Sequence, residues 1–76
     1  MRSAIPLKIR NKLREIRVKK KMTQSQVAFK CGLALSTYQN IEKGKSQPSL
    51  KTALLIAKAL DYQVEKLFRV EIYQHD

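Results

Sequence analysis

Thr23 to Gly32, TQSQVAFKCG, has both ends of a helix written into it. Thr23 is a favourable N-cap, and Gln26 three residues later completes a capping-box pattern, so a helix is predicted from Gln24. Val27, Ala28 and Cys31 give that helix one apolar stripe, on which the single cysteine is expected to be buried and inert. Gly32 stands where the chain must turn left-handed to leave the helix, a conformation that a side chain makes costly. Only three residues later a second helix can begin. Two short helices joined by so brief a turn must cross steeply. Ala28 has to be small because Tyr38 and Ile41 of the second helix pack against it.

The apolar positions of that second helix are Leu33, Tyr38 and Ile41. They leave Leu35, Ser36, Gln39, Asn40 and Lys43 as a separate stripe, mostly polar and without an acid. Asn and Gln side chains pair bidentately with adenine in the major groove, and small hydroxyls such as Ser36 and Thr37 serve several bases. The stripe reads as a DNA-recognition surface, with the helix-turn-helix spanning residues 24–43.

Taken together, Thr23-Gln24, Ala28, Gly32, Ile41-Glu42 and Gly44-Lys45 resemble the Cro/repressor-type (xenobiotic-response-element) helix-turn-helix family. The likeness continues through Pro48 to Leu50, Ile56 to Leu60 and Lys66 to Phe68, covering about residues 9–68. It implies a Gln24 that meets a phosphate from the open first turn of its helix, where Thr23 stands beside it. It also implies an ion pair between Arg17 and Glu42, whose bidentate geometry would lock the first helix onto the recognition helix. The chain departs from its relatives at three places. Ala34 occupies the usual Ser/Thr cap, unless Ser36 caps a helix that starts later. Leu35 replaces a polar base-contacting residue and suits a thymine methyl, and Tyr38 replaces an aliphatic, so its hydroxyl needs a partner or an opening to solvent.

Charge fits a polyanionic partner. The formal net charge is +10, with residues 1–60 carrying +12 and residues 61–76 carrying −2. Lys43, Lys45 and Ser46 follow the reading stripe directly and are expected on backbone phosphate, whereas Lys19 to Lys21 suit a helix carboxyl end. At 76 residues the chain is read as one domain, residues 1–76, small enough that dimerisation would help its stability. One cysteine excludes an internal disulfide and leaves too few thiols for a cysteine-rich metal site. No metal or other cofactor is expected, and no small-molecule effector is evident. With no nucleophile–base pair and only two glycines, an enzyme is not expected. Neither a membrane span nor a signal-peptide core is visible, so a cytoplasmic protein, associated with a bacterial or phage nucleoid, is expected.

The remaining segments complete a mainly α fold: a compact five-helix, repressor-like DNA-binding domain with a short two-stranded antiparallel β element from the chain ends. Residues 5–10 alternate, with Ile5, Leu7 and Ile9 on one side and Pro6 compatible with a strand edge; alternatively the first helix starts at Leu7. Asn11 is expected to cap a helix from Lys12 to about Lys21, with Leu13 and Ile16 inward. Met22 is expected to fill the core. Ser49 caps a fourth helix to about Leu60, whose core stripe is expected to be Leu50, Ala53, Leu54, Ala57 and Leu60, with Ile56 beside it. Leu55 and Ala59 then form a second strip, a candidate subunit interface. Val64, Leu67 and Phe68 mark a fifth helix, and the period switches to two over about residues 68–73. The two alternating ends are expected to pair, within one chain or across a dimer, while His75 is expected to be disordered.

The expected function is sequence-specific binding of double-stranded DNA by a homodimeric transcriptional regulator, a repressor on a palindromic operator. The dimer is expected to use the fourth and fifth helices and the C-terminal strand. The same fold also serves restriction–modification controllers and antitoxins. An RNA-binding or membrane-surface basic protein is a distant alternative that lacks the stacking aromatics or the spare apolar face it would need.

Overall fold

A computed structural model describes residues 7–72. The element order is β1 (Leu7–Asn11), α1 (Leu13–Lys19), α2 (Gln24–Cys31), α3 (Leu35–Lys43), α4 (Leu50–Leu60), α5 (Val64–Leu67) and β2 (Phe68–Ile72). The expectations for Ile5, Pro6, Tyr73 and His75 fall outside the described residues.

The helix-turn-helix forms through the local signals that predict it. Thr23 Oγ1 accepts from Gln26 N–H at 3.1 Å, while the Gln26 side chain accepts from Thr23 N–H at 2.8 Å. Gly32 is left-handed at φ 69°, and the Leu33 N–H turns back to Ala28 O at 2.9 Å, closing the helix end. The next helix starts at Leu35 on an Ala34 cap that makes no side-chain hydrogen bond, so Ser36 does not serve as its cap. Gly44, at φ 83°, ends it in the same left-handed manner as Gly32.

The first helix is shorter than its sequence suggests, ending at Lys19 instead of about Lys21. Lys21 is left-handed at φ 60° and the Met22 N–H folds back to Arg17 O, so the chain leaves the helix two residues early to reach the Thr23 cap. The N-cap position falls on Lys12, not on Asn11 as expected, and makes no side-chain cap bond; from one residue earlier Asn11 Oδ1 still accepts from Leu13 N–H at 2.9 Å. The start of α1 is also tied to α5, through Lys12 N–H to Leu67 O at 2.9 Å.

The chain ends pair with each other inside one molecule. β1 and β2 are antiparallel, with Ile9 opposite Val70, Arg10 opposite Arg69 and Asn11 opposite Phe68. One core, built from Leu13, Ile16, Val27, Ala28, Cys31, Tyr38, Ile41, Ile56, Ala57, Leu60 and Leu67, joins all five helices. Met22 and Leu33 are partly buried against it. Among the described residues no helix is long and apolar enough to cross a membrane.

The fourth helix is rotated from its expected setting. Ala53, Ile56, Ala57 and Leu60 are buried, but Leu50 is 75% exposed and Leu54 49% exposed. Leu55 and Ala59, expected to face outward, are instead partly buried against the core. LKTALLIAKAL is mostly apolar, but Lys51 and Lys58 share one face and the buried Ala53, Ile56 and Leu60 lie opposite it, so the two lysines mark the inward side that a Leu50–Leu54 stripe misses. The α4 apolar strip left open is therefore Leu50 and Leu54, one turn apart.

Neither helix-ending glycine is crowded: a Cβ at Gly32 would meet nothing within 4 Å. Its requirement is purely conformational. Gly32→Ala is expected to lower unfolding stability by about 1–2 kcal/mol in urea denaturation, through left-handed strain alone. Gly32→Asn should lose less.

Candidate nucleic-acid interface

The interface is set by a buried carboxylate. Glu42, on α3, has a side chain only 5% exposed and faces Arg17 of α1, whose side chain is 12% exposed. Arg17 Nε donates to Glu42 Oε2 at 2.8 Å and Nη2 donates to Oε1 at 3.2 Å, while Nη1 donates to Met22 O at 2.9 Å. The Tyr38 hydroxyl, one helical turn before Glu42, donates to Oε2 at 2.9 Å. That bond satisfies a hydroxyl whose ring is fully buried. Gln24 Nε2 from α2 adds a fourth donor to the carboxylate, reaching Oε1 at 2.7 Å.

These contacts impose a direction on the amides. A carboxylate can only accept, so Gln24 must turn its NH2 group toward Glu42. Its carbonyl is then the end left for Gln39, whose Nε2 donates to it at 3.1 Å. Gln39 keeps its carbonyl oxygen and one N–H uncommitted. The first residue of α2 thus fixes which hydrogen-bonding groups a residue in the middle of α3 can offer.

Protonation follows the same geometry. Burial, the largest influence on Glu42, opposes its ionisation, but the hydrogen bonds from Arg17, Gln24 and Tyr38 outweigh it and hold the pKa below the usual carboxylate value. The bond to Glu42 raises Arg17 further above its already high value. Burial first, then the bond to Glu42, pushes the Tyr38 phenol far above its ordinary range. Burial likewise raises the Cys31 thiol.

With Tyr38 and Ile41 inward, a step of roughly 100° per residue turns Ser36, Gln39, Asn40 and Lys43 outward, flanked by Leu35 and Thr37. Leu35, Ser36, Thr37, Asn40 and Lys43 are exposed, and Gln39 is half-buried beside Gln24, to which it is bonded. Lys45 and Ser46 are exposed just past Gly44, their backbone N–H groups bonded to Asn40 O. Thr23 is exposed at the start of α2, with its hydroxyl engaged as the cap.

Arg14, and one of the two roles of Asn11, were not singled out from the sequence. Arg14 lines a recess of about 360 Å3 together with Arg17, Gln24, Glu42 and Lys43, so an exposed cation of α1 stands beside the α2–α3 surface. Its position i−3 from Arg17 was the available signal. Asn11 Nδ2 donates to Ile41 O at 3.1 Å, a carbonyl that also accepts from Gly44 N–H, and so ties the end of α3 to a residue thirty positions earlier. No sequence pattern marks that second bond.

The helix-turn-helix family profile (HTH_3) matches residues 13–67, and the chain belongs to that family. An uncharacterized HTH-type transcriptional regulator of Methanocaldococcus jannaschii is 41% identical over 68 residues, covering 90% of this chain and 98% of that one. The phage CTXphi transcriptional repressor RstR of Vibrio cholerae is 31% identical over 61 residues, covering 80% of this chain and 54% of that protein. Among solved structures, the restriction-modification controller protein C.AhdI from Aeromonas hydrophila superposes with a TM-score of 0.68. It is 37% identical, over 71% of this chain and 82% of that one.

Glu42→Gln should cost about 3–5 kcal/mol in chemical denaturation, because it strands a buried guanidinium. The acid profile gives an independent check. Since Glu42 has a lower pKa folded than unfolded, its stabilisation is complete above the unfolded value of about 4.3 and is lost as pH falls through the folded value. Stability measured from pH 7 down to 3 should fall more steeply for the native chain than for Glu42→Gln. Parallel profiles would contradict the assignment.

Proposed function

We propose that this chain is a transcriptional regulator that binds double-stranded DNA sequence-specifically as a homodimer, acting in the cytoplasm as a repressor on a palindromic operator. The observation that carries the reading is the outward ridge of α3, rich in amide and hydroxyl groups and free of acids, on a strongly basic chain. In this reading Gln39, Asn40, Ser36 and Thr37 meet base edges, and Leu35 meets a thymine methyl. Thr23, Gln24, Lys43, Lys45 and Ser46 meet backbone phosphate, with Arg14 added to that set by its place beside Gln24 and Lys43. Gln24 has a double task, since it also orients Gln39.

The homodimer is supported by the exposed pair Leu50 and Leu54 on α4, together with Val70 of β2, which is also exposed. The strip replaces the Leu55–Ala59 surface suggested by periodicity. A narrower role as the controller of a restriction–modification system is supported by the likeness to C.AhdI. The similarity to a phage repressor supports repression at a phage-type operator. The neighbouring genes distinguish these two.

Two substitutions separate base reading from phosphate contact. Gln39→Ala should cost about 1–3 kcal/mol at one base pair and relax specificity there. Lys43→Ala should weaken all duplexes alike and lower the salt slope by about one. Binding isotherms on specific and random duplex across a salt series measure both, and equal losses on the two duplexes for Gln39→Ala would refute its base-reading role. For the dimer, Leu50→Glu with Leu54→Glu should shift sedimentation equilibrium toward monomer without lowering helicity.

A further inference from the structure

We infer that the cavity between the start of α1, α5 and the β ribbon binds a small phosphorylated anion, at a site separate from the surface of α3. The cavity is about 350 Å3, within the range of small-ligand pockets. Arg10, Lys12, Lys66 and Arg69 line it against a single acid, Glu65, with Tyr62 supplying part of the wall. Arg10 is held by Glu71, its Nε donating to Oε1 at 2.7 Å. Lys12, Lys66 and Arg69 have no side-chain hydrogen bond or ion pair among the described residues. Lys20 adds a further cation beyond Tyr62, its Nζ 5.7 Å from the ring centroid.

The arrangement gathers like charges on one recess. Arg10 and Arg69 are direct partners across the antiparallel ladder, where like charges destabilise a sheet. The Lys12–Leu67 backbone bond holds the start of α1 against α5, so Lys12 and Lys66 cannot separate by moving their elements apart. A phosphate group, with several acceptor oxygens and more than one negative charge, matches a guanidinium fork and two ammonium groups converging on one recess.

Lys12, Lys66 and Arg69 line this recess and not the one beside the end of α3, which Arg10 borders too, with Lys43 and Gly44. Convergence on a recess favours a compact ligand over a second duplex, whose phosphates lie along a line.

Pyrophosphate and ATP, each titrated at ionic strength held constant with sodium chloride, are the probes. The readout is the 15N–1H spectrum of the full chain. Saturable shifts are expected at Lys12, Lys66 and Arg69. The double variant Lys66→Gln, Arg69→Gln should weaken them at least about tenfold. The variant should melt no lower than the native chain, because it removes two like charges, and should keep its affinity and salt slope on duplex DNA. A response to ATP but not pyrophosphate assigns a nucleotide, and a response to both assigns the phosphate chain alone. Shifts that do not saturate, or that survive in the variant, would overturn the proposal. So would a variant with weakened DNA binding and a lower salt slope, since the cavity would then be a duplex contact.

Discussion

The carboxylate of Glu42 is the point on which three helices depend. Arg17 comes to it from α1, Gln24 from α2 and Tyr38 from its own helix, so each oxygen is fully engaged. A charge this buried is costly unless every lone pair is answered, and here the answering groups come from separate elements. Moving any of these helices breaks a bond to an ion that is largely shielded from water. The hydrophobic core supplies the bulk of the cohesion, but an apolar contact tolerates sliding and a forked guanidinium on a carboxylate does not. The orientation of α3 relative to α1 and α2 is therefore set by polar geometry inside an apolar shell.

That rigidity has a direct chemical output. The chain of bonds from Arg17 through Glu42 and Gln24 to Gln39 runs from an obligate donor to an amide at the surface. Each link admits one orientation only, because a guanidinium cannot accept and a carboxylate cannot donate. An amide free to flip would offer a donor or an acceptor with equal ease and would discriminate poorly between bases. The same bonds restrict the long Gln39 side chain, which in the proposed function lowers the entropy lost on binding.

The helix-turn-helix was legible because its signals are local. A cap three residues from its reciprocal partner and a glycine at a helix end operate within one turn, and both are present in the folded chain. The pairing of the two chain ends was also readable, since only two segments alternate. What the sequence did not disclose depends on rotation and on distance along the chain. The setting of α4 was misread because most of its residues are apolar, although Lys51 and Lys58 mark its outward face, and so Leu50 and Leu54 exchanged places with Leu55 and Ala59. The second task of Gln24, its bond to a residue fifteen positions later, depends on the crossing geometry of α2 and α3. The cluster of Arg10, Lys12, Lys66 and Arg69 forms only when the chain ends meet.

The central claim is that the outward ridge of α3 selects duplex sequences. Repeated selection of the native chain from a randomised duplex library, with the bound pool sequenced, tests it most directly. The account predicts one enriched inverted repeat, with half-sites about 34–36 Å apart as two copies of α3 require. A bound pool with no enriched sequence, from a chain that still retains DNA, would contradict it.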